Sequence, residues 1–118
     1  MSDLKIDVRA VGPVTVLEPV GMINAHTAKS FETSLQKLLD SNCNRIVINC
    51  KGLEYIASAG LGVIMGFLND VRDGNGDIRL SNMNPTVFNI FEILGFTHFT
   101  SIFDNEETAV QSFAEAAR

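Results

Sequence analysis

Tryptophan is absent from these 118 residues, tyrosine occurs once and proline three times. Nine lysines and arginines face fourteen acids and form no run, which leaves a net charge of −5. Nucleic acid and anionic membrane surfaces both call for clustered cations, so neither is expected as the main partner. No apolar run reaches the ~18 residues that span a bilayer, and no signal-peptide pattern precedes the first strand. A cytoplasmic protein without membrane insertion is therefore expected. Cys43 and Cys50 are the only cysteines, with no CxxC pair and no His/Cys cluster beside them. They lie at opposite ends of one extended segment, too far apart to bridge within it. The expected reading is two reduced packing thiols, with no metal and no bound cofactor.

What is present is a regular change of period. Leu4, Ile6, Val8 and Ala10 alternate with Lys5, Asp7 and Arg9, the pattern of a strand with one wet face. Gly12-Pro13 is a turn signal, and residues 14–20 are a second β-branched run that Pro19 and Gly21 end. Asn24 or Thr27 then caps a helix with Phe31, Leu35, Leu38 and Leu39 on one face. Ile46, Val47 and Ile48 are apolar on consecutive positions, as parallel strands are. A helix after Ser58 carries Leu61, Val63, Ile64, Met65, Phe67, Leu68 and Val71. Residues 78–80 form another short strand. Asn84 as cap and Pro85 at the first helical position open a helix that Gly95 stops. Residues 97–103 read as a last strand. Asp104, with Glu107 three residues on, is a variant capping box for a final helix that ends at Ala117.

The order β-β-α-β-α-β-α-β-α implies one α/β domain over residues 1–118. Its sheet is mixed and mostly parallel, with about five strands, right-handed crossovers and flanking helices.

Catalytic patterns are weak. His26 and His98 sit at element starts without a partner at relay spacing, so surface or cap histidines are the simpler reading. The residues around Ser58 are Ile56-Ala57-Ser58-Ala59-Gly60, which lack the Gly-x-Ser-x-Gly elbow of hydrolases. Gly60, Gly62 and Gly66 are misplaced by one residue for a dinucleotide fingerprint, and no Gly-Lys-Ser/Thr follows. Their simpler role is to let the helix pack close to a neighbour. Asp70, Asp73 and Asp77 lack the order of a calcium loop and read as a solvated turn. No catalytic residue is assigned.

Ser58 remains. It stands where an N-cap belongs, and a structural cap is the commoner use of such a serine. A phosphate there would bring about −1.5 to −2 charge to the positive end of the helix dipole. The apolar residues behind it go nearly all the way round the helix. Either the helix is covered on both sides, or some of Leu61, Met65 and Leu68 are exposed to a partner.

Gly21-Met-Ile-Asn24, Arg45-Ile-Val-Ile-Asn49, residues 53–66 and Asn84-Pro85-x-Val87-x-x-x-Phe91-x-x-x-Gly95 together resemble the STAS domain of bacterial anti-sigma factor antagonists. The resemblance covers essentially the whole chain. It implies a non-enzymatic partner switch. The unphosphorylated antagonist binds an anti-sigma factor that is also a serine kinase of the histidine-kinase-like ATPase fold. Phosphorylation on a serine at the start of the central helix dissociates the pair, and a PP2C-type phosphatase restores it. Ser58 falls at that serine. Asn24, His26, Ala57, Ser58, Ala59, Gly60, Leu61 and Met65 are the partner-binding residues this implies. The family pattern is Asp-Ser-Ser/Thr-Gly where this chain has Ala57-Ser58-Ala59-Gly60, and its usual acidic position near the first helix is Asn24. A STAS subunit that only scaffolds a stress-signalling or lipid-transport complex, without phosphorylation, is the alternative.

Overall fold

The computed structural model describes residues 3–116. Strand β1 (Leu4–Val11) and strand β2 (Val14–Ile23) form an antiparallel hairpin that pairs Val11 with Val14. Its two-residue loop needs a positive φ at the first position, and Gly12 supplies +59°. Pro19 and Gly21 do not end β2, contrary to expectation. The strand runs on to Ile23 because it has two parallel partners in succession. Residues 15–17 pair with β3 (Arg45–Asn49), and residues 21–23 pair with β4 (Leu53–Ile56). Pro19 lies between the two pairings. Gly21 has φ +116°, and a Cβ there would meet the Asp3 carbonyl oxygen at 2.1 Å, so only glycine fits.

The remaining strands are β5 (Asp77–Ser81) and β6 (Ile102–Phe103). The strand order is β1-β2-β3-β5-β6, with β4 off this path on β2, so the sheet has six strands rather than about five. Among the described residues only the β1–β2 pairing is antiparallel. The extra strand, β4, occupies what the sequence suggests is a bare connection.

The helices are α1 (Ala28–Asp40), α2 (Ser58–Asp73), α3 (Pro85–Ile93) and α4 (Glu106–Ala116). Alternation along the central strands divides the core. Leu17, Ile46 and Ile48 face Phe31 and Leu35 of α1, Ile64 and Leu68 of α2, and Phe91 of α3. Val14, Val16 and Val47 face Ala109 and Phe113 of α4. Each fully buried side chain of this kind contributes roughly 1.5–3 kcal/mol, so the three-helix face carries most of the apolar stabilisation. On the other face, Arg79 lies 4.2 Å over the Phe113 ring and donates to Ser112 Oγ at 2.6 Å. Arg9 grips Glu106 with Nη1 and Nη2, and Asn49 donates to the same carboxylate at 3.0 Å.

Of residues 97–103, expected to be one strand, only Ile102–Phe103 are extended, as β6. Phe96 packs edge-on against Phe91 and Phe99 at 5.6 and 6.4 Å, which curls Phe96–His98 into a 3-10 turn. His98 thus ends a helical turn instead of starting a strand. Asn105, not Asp104, caps α4, accepting from Thr108 N at 2.8 Å. Ala117 lies outside the described residues. Cys50 is fully buried, which pushes its thiol up to about 12, and Cys43 is half-buried. Both are free.

The candidate switch site at the start of helix α2

The site is built where β2 and β4 end side by side. Met22 pairs with Tyr55 and Ile23 with Ile56, and Ala57 N donates to Ile23 O at 2.8 Å. The chain segments that leave these two strands are therefore neighbours. One is the 24–27 loop before α1. The other is Ala57 and the first turn of α2.

The 24–27 loop is tied from within. Asn24 Oδ1 accepts from His26 N at 2.9 Å and from Thr27 N at 3.1 Å. The Thr27 hydroxyl accepts from Asn24 N and donates to Met22 O, both at 2.8 Å. Such local bonds fix an otherwise mobile turn. Thr27 occupies the α1 cap position without capping it through its side chain. Asn24 takes up N–H groups one turn earlier. The loop leaves Ala25 and His26 exposed.

Ser58 is not the N-cap. Ala57 has the extended cap conformation, φ −88° and ψ 167°, and offers no side-chain acceptor. Ser58 is the first helical residue. Gly60 N and Leu61 N both donate to Ala57 O, at 2.9 and 3.2 Å, whereas Ser58 N and Ala59 N have no partner among the described residues. Ser58 is exposed, and its hydroxyl has no hydrogen-bond partner among the described residues. No acid stands in the first turn of α2. The helix thus begins with an open hydroxyl, two open N–H groups and the uncompensated positive end of its dipole.

Gly60 holds this turn against the sheet. A Cβ there would lie 2.5 Å from Ile23 Cγ2 and 2.9 Å from Ile56 Cγ1. Gly60 is therefore the close-packing glycine, while a Cβ at Gly62 or Gly66 would meet nothing within 4 Å. Those two lie on an open groove between α1 and α2, beside Glu32, Gln36 and Asp70.

Of the two alternatives for the apolar residues of α2, the structure takes the covered one, against the expected use of Leu61 as a partner contact. Leu61 is 3% exposed and Leu68 1%, both in the main core. The helix is sandwiched between the sheet and α1, so its apolar circumference is mostly covered. Leu61 cannot present its side chain to a partner without unpacking. Met65 is half-buried against the same core. The exposed surface at this end includes Ala59 and Gly62, with the cross-strand pair Met22 and Tyr55 nearby at 36% and 45% exposure. That pair was missed because residues 53–56 do not alternate as a half-buried strand does. Only the pairing of β4 with β2 puts Tyr55 beside Met22.

Asp77 bonds to Arg72 and Arg79, at 2.9 and 3.0 Å. Among the described residues no three His, Cys, Asp or Glu side chains gather as metal ligands, and no helix is long and apolar enough to cross a membrane.

A mixed sheet of this order, with the start of one helix set open at the strand ends, defines a recognisable class. Residues 5–109 match the model of the STAS domain, and the chain belongs to that family. Within it, the chain is 31% identical to BtrV of Bordetella bronchiseptica, over 81% of this chain and 83% of that protein, whose name assigns it provisionally to the anti-sigma factor antagonists. It is 26% identical to the anti-sigma F factor antagonist of Paenibacillus polymyxa, over 92% of this chain and 93% of that one. The unphosphorylated form of the anti-sigma factor antagonist SpoIIAA superposes with TM-score 0.81 at 19% identity, covering 94% of this chain and 97% of that one. SpoIIAA is also solved in its phosphorylated form.

Proposed function

We propose that this chain is an anti-sigma factor antagonist that works by partner switching at Ser58. In its unphosphorylated state it binds an anti-sigma factor that is a serine kinase of the histidine-kinase-like ATPase fold. The binding surface is the 24–27 loop with His26, the turn at Ala57, Ser58 and Ala59 supported from below by Gly60, and Met65 further along α2. Met22 and Tyr55 add apolar area beside it. The kinase transfers a phosphoryl group to Ser58, the complex falls apart, and a PP2C-type phosphatase resets the chain.

The observation that carries this reading is the unpartnered, exposed Ser58 hydroxyl beside two free N–H groups. A structural serine would be bonded to the backbone it caps. A phosphate on Ser58 would instead find donors and a favourable dipole at the helix start, so the modified state costs the fold little. A partner packed on the same turn would meet a bulky dianion and lose contact. The curated relatives named as antagonists support the same reading.

The test is incubation with the anti-sigma kinase and ATP, followed by mass-spectrometric mapping. Phosphate on Ser58 is expected, with none on Ser58→Ala. Ser58→Asp should bind the kinase at least about tenfold more weakly, near 1.4 kcal/mol, while Ser58→Ala binds and stays bound. Label on another residue, or equal affinities for the two variants, would sink the proposal. A non-phosphorylated scaffold role is favoured by one observation, the alanine at the α2 cap. It predicts a stoichiometric complex with a non-kinase partner that ATP leaves intact.

A further inference from the structure

Helices α1 and α2 stop in the same way. Beyond the cap residue of α1, Asn42 turns left-handed at φ 62°. Asn42 N donates to Leu39 O at 2.9 Å and Cys43 N to Leu38 O at 2.8 Å. Beyond the cap residue of α2, Asn75 turns left-handed at φ 65°. Asn75 N donates to Arg72 O at 3.0 Å and Gly76 N to Val71 O at 2.9 Å. These are the paired closing bonds that a left-handed residue permits, and asparagine adopts that conformation more readily than most residues with a Cβ. Both asparagines are exposed, and neither side-chain amide has a hydrogen-bond partner among the described residues.

The two stops differ in the residue that follows. A Cβ on Gly76 would lie 1.9 Å from Asn44 O, the carbonyl that accepts from Asp77 N at 2.9 Å. Asn44 Nδ2 also donates to Gly74 O at 3.2 Å. The close passage of the chain at Asn44 therefore excludes any side chain at position 76. It leaves the one Asn-Gly pair of the sequence at an exposed tip. An asparagine amide is open to attack by the backbone nitrogen of the next residue, and a Cβ on that residue hinders the approach. Cys43 carries that hindrance behind Asn42, and Gly76 lacks it behind Asn75.

From this pair of stops we infer that Asn75 is a site of spontaneous deamidation, gated by opening of the end of α2. Gly76 N loses its proton to solvent base and bonds to Asn75 Cγ. The Cγ–Nδ2 bond breaks, ammonia leaves, and a cyclic succinimide closes. Water then opens the ring at either carbonyl. Cleavage at Cγ gives aspartate. Cleavage at the main-chain carbonyl carbon gives isoaspartate, whose backbone runs through the side chain. The folded chain holds the reaction back, because the Gly76 N–H is engaged by Val71 O. The nitrogen is released when the last turn of α2 frays, a local opening that needs no global unfolding. Isoaspartate adds a methylene to the main chain and a carboxylate at the negative end of the α2 dipole, so both the closing bonds and the dipole work against it.

The test incubates the whole chain at mildly alkaline pH, folded and in unfolding guanidinium chloride, and maps peptides by mass spectrometry over time. The mass gain of an amide-to-acid exchange is expected at Asn75, with isoaspartate detected by an isoaspartyl methyltransferase. In the folded chain Asn75 should convert at least about tenfold faster than Asn42, and at least about tenfold slower than Asn75 in guanidinium chloride. Asn75→Gly keeps the left-handed turn. It should lose the signal and hold its melting temperature on incubation, while that of the wild type falls. An Asn75 that stays an amide in the folded chain while it converts in the unfolded one overturns the inference. So does a folded rate equal to the unfolded rate, or one no faster than at Asn42.

Discussion

Helices α2 and α3 begin with nearly the same backbone and opposite chemistry. Ala57 has φ −88° and ψ 167°, and Asn84 has φ −75° and ψ 165°. Asn84 Oδ1 accepts from Val87 N at 2.8 Å, its amide donates to Leu53 O at 3.2 Å, and Pro85 removes a donor that would have gone unpaired. Helix α3 is closed off by its own residues. Helix α2 is left open, with alanine where asparagine would serve. A start that the chain does not satisfy itself is available for something else, which is a phosphate in the function proposed above. The two starts also share a load. Asn84 holds the carbonyl of Leu53, the first residue of the strand that delivers Ala57.

The comparison can be broken hardest at Gly60. Gly60→Ala should destabilise by about 1–3 kcal/mol, because a Cβ is forced onto Ile23 and Ile56 in a packed core. Chemical denaturation reads this directly. A change near zero would mean that the turn sits farther from the sheet. Asn84→Ala should cost about 1–2 kcal/mol, since it loses both a cap and the bond to Leu53 O. Ala57→Asp should make the two starts alike. It is expected to raise stability by about 0.5–2 kcal/mol by capping α2. It should also blunt any rise in melting temperature on phosphorylation, since carboxylate and phosphate compete for the same N–H groups. No gain would show that α2 already has an acceptor.

Gly62→Ala should add roughly 0.5–1 kcal/mol, because the site is open and glycine is a poor helix former. The smallest effect concerns α4, whose start is held by the Glu106 carboxylate. The Arg9 hydrogen bond, foremost, and the Asn49 hydrogen bond hold that carboxylate below its usual range. A depressed acid contributes stability above its unfolded pKa and loses it as pH falls through the folded value. Stability should therefore decline below about pH 4.3, and less steeply in Glu106→Gln.

Periodicity made much of this fold legible. The alternation in β1, the Phe31, Leu35 and Leu38 stripe of α1, and the Asn84-Pro85 start and Gly95 stop of α3 were all readable from local residues. Gly95 indeed follows the α3 cap residue with φ +78°. Ser58 was legible as the residue of interest, though not as what it is. A serine before an apolar run looks like a cap, and only backbone dihedrals place the cap at Ala57. Strand β4 was not legible. Leu53 and Ile56 are buried with Glu54 and Tyr55 exposed between them, which is neither alternation nor a helical stripe. The last strand was overread for the opposite reason. Aromatic and β-branched residues suggest extension, but packing of Phe96 on Phe91 pulls the segment into a turn.

The residues by themselves determined the alternating order of strands and helices, the apolar faces and the serine at the head of the central helix. These follow from side-chain spacing and from turn residues whose φ preferences are local. Tertiary structure alone decided that β2 continues past its proline to meet β4, that Leu61 and Leu68 are core, and that Ser58 stands open beside the 24–27 loop. Each of those depends on which segment lies across the sheet. A distant neighbour can override a local turn signal because burying an apolar face outweighs the weak preference of one proline or glycine.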